Sequence, residues 1–274
     1  MRNSLCAAAI LLIIGGVAGC GQTRTADPHS VPLTVVAKTG PIVGGITVSS
    51  TNQVHLVGAT SLSDLRGLLR ALGDAAAPVT CATPQDRGGC WQEAPADSLL
   101  LAVDARSTCL RPSTVSAASL STPTTLTLTV QSRPGSCLPG SLAQPRATFT
   151  LVALPLSRLP SARLTVMVRN EGTGVDLLAP ASITVDVRRP LPAVMDEPAR
   201  MVEAGQALAA AQASMHDQGL GTPILTELGI DRWADSKLGC GISNGGSPLA
   251  VDGYRVVFGP VEFRWSAGRL AHCT

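Results

Sequence analysis

Residues 125–130 read TLTLTV, a strict alternation of threonine with an apolar residue. Successive side chains of a strand point to opposite faces, so this spacing puts Leu126, Leu128 and Val130 on one face and Thr125, Thr127 and Thr129 on the other. That is the pattern of a half-buried strand in an antiparallel sheet. Strand-like text continues on both sides: SLLLAVDA at 98–105, STVSAASL at 113–120, RATFTLVALP at 146–155, ARLTVMVRN at 162–170 and ASITVDV at 181–187. Strand breakers separate them, namely Pro112, Pro123, Pro134, Pro139, Pro155 and Pro160. Short strands at such intervals predict a mainly β domain over 40–190, a sandwich or rolled antiparallel sheet.

Upstream, GGITVSS (44–50) and QVHLVG (53–58) also read as strands. The same domain has one helix. In SLSDLRGLLRALGD (61–74), Leu62, Leu65, Leu68, Leu69 and Leu72 recur at helical spacing, Ser61 or Ser63 can cap the start and Gly73 can end it. The leucine stripe is read as a core-facing face. Aromatic residues make up 3% of the chain, so the core must be built from Val, Leu, Ile and Ala.

RRPLP at 188–192 marks a boundary, and 194–274 reads as a small α+β domain. Its helix is DEPARMVEAGQALAAAQASMHDQ (196–218), rich in Ala, Gln, Met and Leu, with acidic residues early and a GLG stop. A strand at 223–233 follows, then GYRVVFG, VEFRWS and RLAHC as an antiparallel meander.

The last 75 or so residues resemble a small domain of uncharacterised secreted bacterial proteins and lipoproteins. Its pattern is W-x-D-x-x-L-G-C, then G-Y-R and two apolar residues, an aromatic strand and a final cysteine. Here these are Trp233, Asp235, Leu238, Gly239 and Cys240; Gly253, Tyr254, Arg255, Val256 and Val257; Phe263 and Trp265; and Cys273. Gly241 stands where that domain usually has proline. The resemblance implies a fold and an exported location, and no chemistry.

The N-terminus implies the same location. Arg2 precedes an apolar run from Leu5 to Ile14, and VAGC follows at 17–20. A positive start, an apolar core and a small-residue cleavage site make an export signal. VAGC resembles a bacterial lipobox, which implies cleavage before Cys20 and a diacylglyceryl group on its sulfur. Residues 1–19 are then the signal peptide and 20–39, small, polar and proline-containing, a flexible tether. The mature chain would have 255 residues and a charge of +1, since loss of Arg2 lowers the +2 of the full chain by one. Its contact with the membrane would be a lipid on the extracytoplasmic face.

Six cysteines remain in the mature part: Cys81, Cys90, Cys109, Cys137, Cys240 and Cys273. An even number in an exported chain points to disulfides. Six allow 15 pairings, and nearness in sequence suggests 81–90, 109–137 and 240–273. No C-x2-C pair exists and the four histidines do not cluster with cysteine, so no metal or cofactor is expected.

Basic residues are not concentrated, which argues against nucleic acid. Lys38 and Lys237 stand against 19 arginines, a bias of high-GC, actinobacterial type. For chemistry the candidates are Cys240 or Ser243 with His272, as in a thiol enzyme or hydrolase. GISNG (241–245) matches a nucleophile elbow, but GGSPL follows where a helix is required. Trp233, Tyr254 and Trp265 could form a binding surface, and a loop at 82–96 could serve a protease inhibitor. The expectation is a non-enzymatic envelope protein that binds another envelope protein or a cell-wall ligand.

Overall fold

A computed structural model describes residues 29–38, 54, 56–72, 94–104, 114–131, 149–160, 162–171, 182–187, 193–221, 224–234, 237–240 and 250–273. The fold is mostly β, with 12 strands in three four-stranded sheets and two α-helices among the described residues. Sheet I has the order β1 (Thr34–Lys38), β6 (Phe149–Pro155), β3 (Ser98–Asp104), β2 (Leu56–Ala59). Sheet II has the order β4 (Thr114–Thr122), β5 (Thr125–Gln131), β7 (Arg163–Asn170), β8 (Ser182–Asp186). Sheet III is the C-terminal meander in reverse, β12 (Arg269–Cys273), β11 (Val261–Ser266), β10 (Val251–Phe258), β9 (Leu225–Trp233).

Sheets I and II form a sandwich. Leu99, Leu101, Val103, Val152 and Leu154 from sheet I meet Leu126, Leu128, Val130, Leu164, Val166 and Val185 from sheet II. Among the described residues this core holds aliphatic side chains and alanine, whereas Tyr254, Phe258, Phe263 and Trp265 lie in the second core, where an aliphatic one was expected. The alternation read in β5 holds: Leu126, Leu128 and Val130 are fully buried and the threonines between them face out. Sheet II is nonetheless mixed, where an antiparallel sheet is expected. The chain leaves it after β5, adds β6 to sheet I, turns through a short 3-10 helix (Leu156–Arg158) and returns as β7 parallel to β5.

The other face of sheet I is buried too. Val57, Ala59, Leu100, Ala102, Leu151 and Ala153 pack in a second core with both helices and sheet III. Helix α1 (Leu62–Ala71) is capped by Ser61, whose Oγ accepts from the Asp64 N–H at 3.1 Å, and it buries Leu65, Leu68 and Leu69 there. Helix α2 (Glu197–Asp217) begins at Asp196, which accepts from the Ala199 N–H at 2.8 Å. It brings Ala204, Ala207, Leu208, Ala211 and Met215 to Leu228, Tyr254, Val256, Phe258 and Phe263. The boundary near 190 falls between β8 and α2, but the regions on its two sides share this core. The 20–39 tether is corrected at its C-terminal end. His29, Ser30 and Val31 pair with β4, through an N–H of Val31 to the Ala118 carbonyl at 2.9 Å and an N–H of Leu120 to the His29 carbonyl at 2.9 Å, and β1 is a strand of sheet I. Backbone groups that join a ladder are ordered by it, whatever the composition. The GGITVSS segment lies outside the described residues.

The helices cross at Gly67. A Cβ there would sit 2.6 Å from Arg200 Cβ and 2.7 Å from its Cγ. Alanine is the better helix former by up to about 1 kcal/mol, but these atoms lie close to the α2 backbone and cannot swing away. Overpacking of this kind costs about 1–3 kcal/mol. Gly67→Ala should therefore lower the free energy of urea unfolding; a variant as stable as the wild type or more stable would contradict the close crossing.

Candidate functional site

Sheet III carries the residues singled out in the C-terminal motif, and one turn organises them. After Trp233 the chain folds back, with Leu238 and Gly239 both in the left-handed region at φ 60° and 64°. Cys240 then meets Cys273 at the end of β12 in a disulfide with a Cα–Cα distance of 4.9 Å. Under this turn the Trp233 ring is 3% exposed. The Arg264 guanidinium lies 5.7 Å from that ring, donates from Nη1 to the Leu238 carbonyl at 2.7 Å and from Nε to Glu262 at 2.6 Å. Both motif glycines are steric necessities. A Cβ on Gly239 would lie 2.8 Å from Arg264 Nη1, and one on Gly253 2.7 Å from the Trp233 ring.

This geometry corrects the aromatic binding surface. Trp233, Tyr254 and Trp265 are 3%, 1% and 6% exposed, so they are packing residues. Tyr254 and Trp265 sit 5.7 Å apart on the α2 side of sheet III, and Trp233 lies beneath the turn. For the chemical candidates, the Cys240 sulfur is bonded to Cys273 and has no thiol to ionise. His272 is exposed and stacks on Phe263 at 4.9 Å. Strand alternation puts His272 and Cys273 on opposite faces of β12, so the imidazole does not address the disulfide. Ser243 and most of the 82–96 loop lie outside the described residues, as do Cys81, Cys90, Cys109 and Cys137. Among the described residues no group of His, Cys, Asp and Glu is arranged to hold a metal ion. A shallow cleft of about 370 Å³ opens beside Thr60, Ser61, Pro95 and Asp97, but Ser61 is spent on the α1 cap and on donating to Asp64 at 2.8 Å.

Two buried ionic clusters were not foreseen from the sequence. In the first, Arg200 on α2 is 5% exposed and donates to Asp64 of α1 at 2.5 Å, to the Tyr254 hydroxyl at 2.6 Å and to the Ala193 carbonyl at 3.1 Å. Tyr254 passes its own proton toward Glu203 at 3.0 Å. Burial pulls the Arg200 pKa down, but the bonds to Tyr254 and the charge of Asp64 outweigh it and raise it. Burial also raises the Tyr254 pKa, against the opposing pull of Arg200. Glu197 adds ion pairs to Arg66, at 3.0 Å, and Arg70.

The second cluster joins sheet III to sheet II. Arg255 on β10 lies 3.0 Å from Glu227 and 3.3 Å from Asp231, both on β9. Arg255 donates to the Thr184 carbonyl at 2.8 Å, and the Thr184 N–H donates to Glu227 at 3.1 Å. Arg163 of β7 reaches Asp231 at 2.7 Å. Glu227, Asp231 and Arg255 are 8%, 0% and 5% exposed. Gly229 is paired with Arg255 across the ladder. Alternation in TELGIDRW could have flagged Glu227 and Asp231 as one face of one strand; nothing in the sequence assigned that face to β8.

No protein-family model, curated protein or solved structure matches the chain.

The second cluster yields two expectations. Removing one member of a buried ion pair strands its partners, at a cost of about 3–5 kcal/mol. Asp231→Ala should show a loss of that size in denaturant melts, and a loss below about 1 kcal/mol would mean the cluster is not buried in solution. Burial pushes the Glu227 carboxyl above its ordinary value of 4.5, against the opposing effects of Arg255 and the Thr184 N–H. A folded-state pKa above the unfolded one means the folded chain holds the proton more tightly. Its contribution to stability therefore falls as pH rises from 4.5 through the raised value. Wild type should gain on Glu227→Gln as pH is lowered from 7 to 4.5; parallel stability profiles would refute the shift.

Proposed function

We propose that this chain is a lipid-anchored, disulfide-stabilised protein of the cell envelope that works by binding another envelope component. The observation that carries the reading is the Cys240–Cys273 disulfide, a bond characteristic of oxidising compartments. It agrees with the export signal and with the lipobox-like VAGC ending at Cys20. Among the described residues no helix is long and apolar enough to cross a membrane, which is consistent with attachment by lipid. The buried charges of the C-terminal region bond to one another and to backbone groups of the sandwich, a use suited to a rigid scaffold. The likeness of the C-terminal quarter to domains of secreted bacterial proteins supports the same location. The expected partners are an envelope protein or a cell-wall ligand.

The test is mass spectrometry of the protein purified unreduced from its native membrane after alkylation of free thiols. A diacylglyceryl mass on Cys20, a 240–273 linked peptide and a Cys20→Ser variant released from the membrane are expected. An unmodified Cys20 would remove the anchor. An alkylated Cys240, or labelling of Ser243 by a fluorophosphonate, would replace the binding reading with an enzymatic one.

A further inference from the structure

The turn over Trp233 contains two features that oppose its closure. Leu238 sits at φ 60°, in the left-handed region that a residue with a Cβ avoids. Its side chain is buried, so packing imposes the conformation. The Trp233 indole is buried as well, and among the described residues its Nε1–H has no acceptor. A buried donor without a partner forfeits the water it would otherwise bond. Opening the turn relieves both: Leu238 returns to negative φ, and water reaches the indole N–H.

Against these costs stand the fastenings of Lys237–Cys240. The Cys240 N–H bonds to the Lys237 carbonyl at 3.3 Å, which closes the turn on itself and ties it to nothing else. Arg264 Nη1 reaches the Leu238 carbonyl at 2.7 Å from a long side chain. The disulfide is the covalent fastening, and it ties the turn to β12. Cys240 and Cys273 are each half-buried, and β12 is the outer strand of sheet III, so a reductant has access to the bond. Exposed disulfides are the labile class, as against those sealed in a core.

The rest of sheet III does not depend on this fastening. Gly253 faces the Trp233 ring while its neighbour Tyr254 faces α2, so the turn and the helix lie on opposite faces of the sheet. Tyr254, Phe263 and Trp265 stay packed against α2, and strands β9 to β12 are joined by their own ladders. Loss of the disulfide therefore opens a local unit and not the fold.

We propose that the Cys240–Cys273 disulfide is a redox latch: its reduction lets Lys237–Cys240 leave the sheet and bares the Trp233 indole and the Arg264 guanidinium, while α2 and the β9–β12 ladder stay folded. A thiolate of a dithiol reductant attacks one sulfur and forms a mixed disulfide as the Cys240–Cys273 bond breaks. The second thiolate of the reductant then displaces the protein sulfur from that mixed disulfide. Two electrons and two protons pass to the cysteines, and the reductant leaves as its own disulfide. Tryptophan and arginine are side chains that anchor interfaces, so the open form presents a surface that the closed form hides. The latch frees both sulfurs together, which separates it from a nucleophile at Cys240 alone. The inference goes beyond the binding reading and is independent of the anchor.

The test footprints the full-length protein with hydroxyl radicals, oxidised and again after reduction by dithiothreitol and its removal under nitrogen. Modification of Trp233 and Trp265 is read from peptides by mass spectrometry, with Trp265, on the α2 side, as the internal reference. Trp233 modification should rise at least tenfold on reduction, with Trp265 unchanged, and fall back after reoxidation. Dithiothreitol reduces any other disulfides too, so the Cys240→Ser, Cys273→Ser double variant isolates this one: it should show the exposed Trp233 with no reductant. Thermal melts show whether each sample is folded. Three results would each overturn the proposal: Trp233 as protected in the folded double variant as in the wild type, a joint rise at Trp233 and Trp265, which would mean that the disulfide holds the whole of sheet III, or a bond that dithiothreitol leaves intact in the folded protein.

Discussion

The assembly of the molecule depends on one guanidinium. Sheet II ends at β8, and the outer edge of a terminal strand presents backbone groups with no ladder partner. Arg255 and Glu227 supply that partner from another sheet: the Thr184 carbonyl accepts from Arg255 and the Thr184 N–H donates to Glu227. A side-chain ion pair thus stands where the next strand would be. The same guanidinium faces Asp231, which Arg163 of β7 also holds. Among the described residues Asp231 Oδ2 and Arg255 Nε have no hydrogen-bond partner and are held by ion-pair contacts alone, so displacing any one charge of the cluster would leave the others facing the desolvation cost. The cluster therefore sets where sheet III sits against the sandwich.

The apolar counterpart of this joint is sheet I, which is buried on both faces. Leu99 to Val103 alternate between the aliphatic core of the sandwich and the core shared with the helices. The sequence shows this as an uninterrupted apolar run, the mark of a strand with no solvent face. That run has a different meaning from TLTLTV, whose alternation leaves one face in water. Two domains were expected on either side of residue 190, and the regions on its two sides share a core. The pairs LLLAV at 99–103 and LVAL at 151–154 held the evidence for a shared one.

Among the described residues most elements were legible, because alternation, leucine spacing, caps and prolines are local signals; β1, read as part of a tether, was not. Helix α1 lies within 61–74 and α2 within 196–218, and the meander follows the expected segments. The parallel β5–β7 pair was not legible, since it follows from where β6 was sent. At the C-terminal motif the residues were found but not their reason. Trp233, Gly239 and Gly253 look like a sequence signature from outside, and in the fold they form one packed unit under a turn with Arg264, which the motif did not single out. The ionic clusters were hidden for a related cause: Arg200 and Asp64 are 136 positions apart in sequence, and Arg163 and Asp231 are 68 apart.

The pairing of Ser30 with Ser119 fixes how the body would hang from its attachment point. Only nine positions separate Cys20 from His29, the first residue laid along β4. Nine residues reach at most about 30 Å when fully drawn out. With a lipid at Cys20, the β4 border of the sandwich would be on a short leash, able to rise no further than that from the bilayer, while β8, β9 and sheet III lie across the width of sheet II from the leash. The molecule would pivot about one border. Sheet II, which runs from that border to the opposite one, would sweep only a narrow shell next to the membrane.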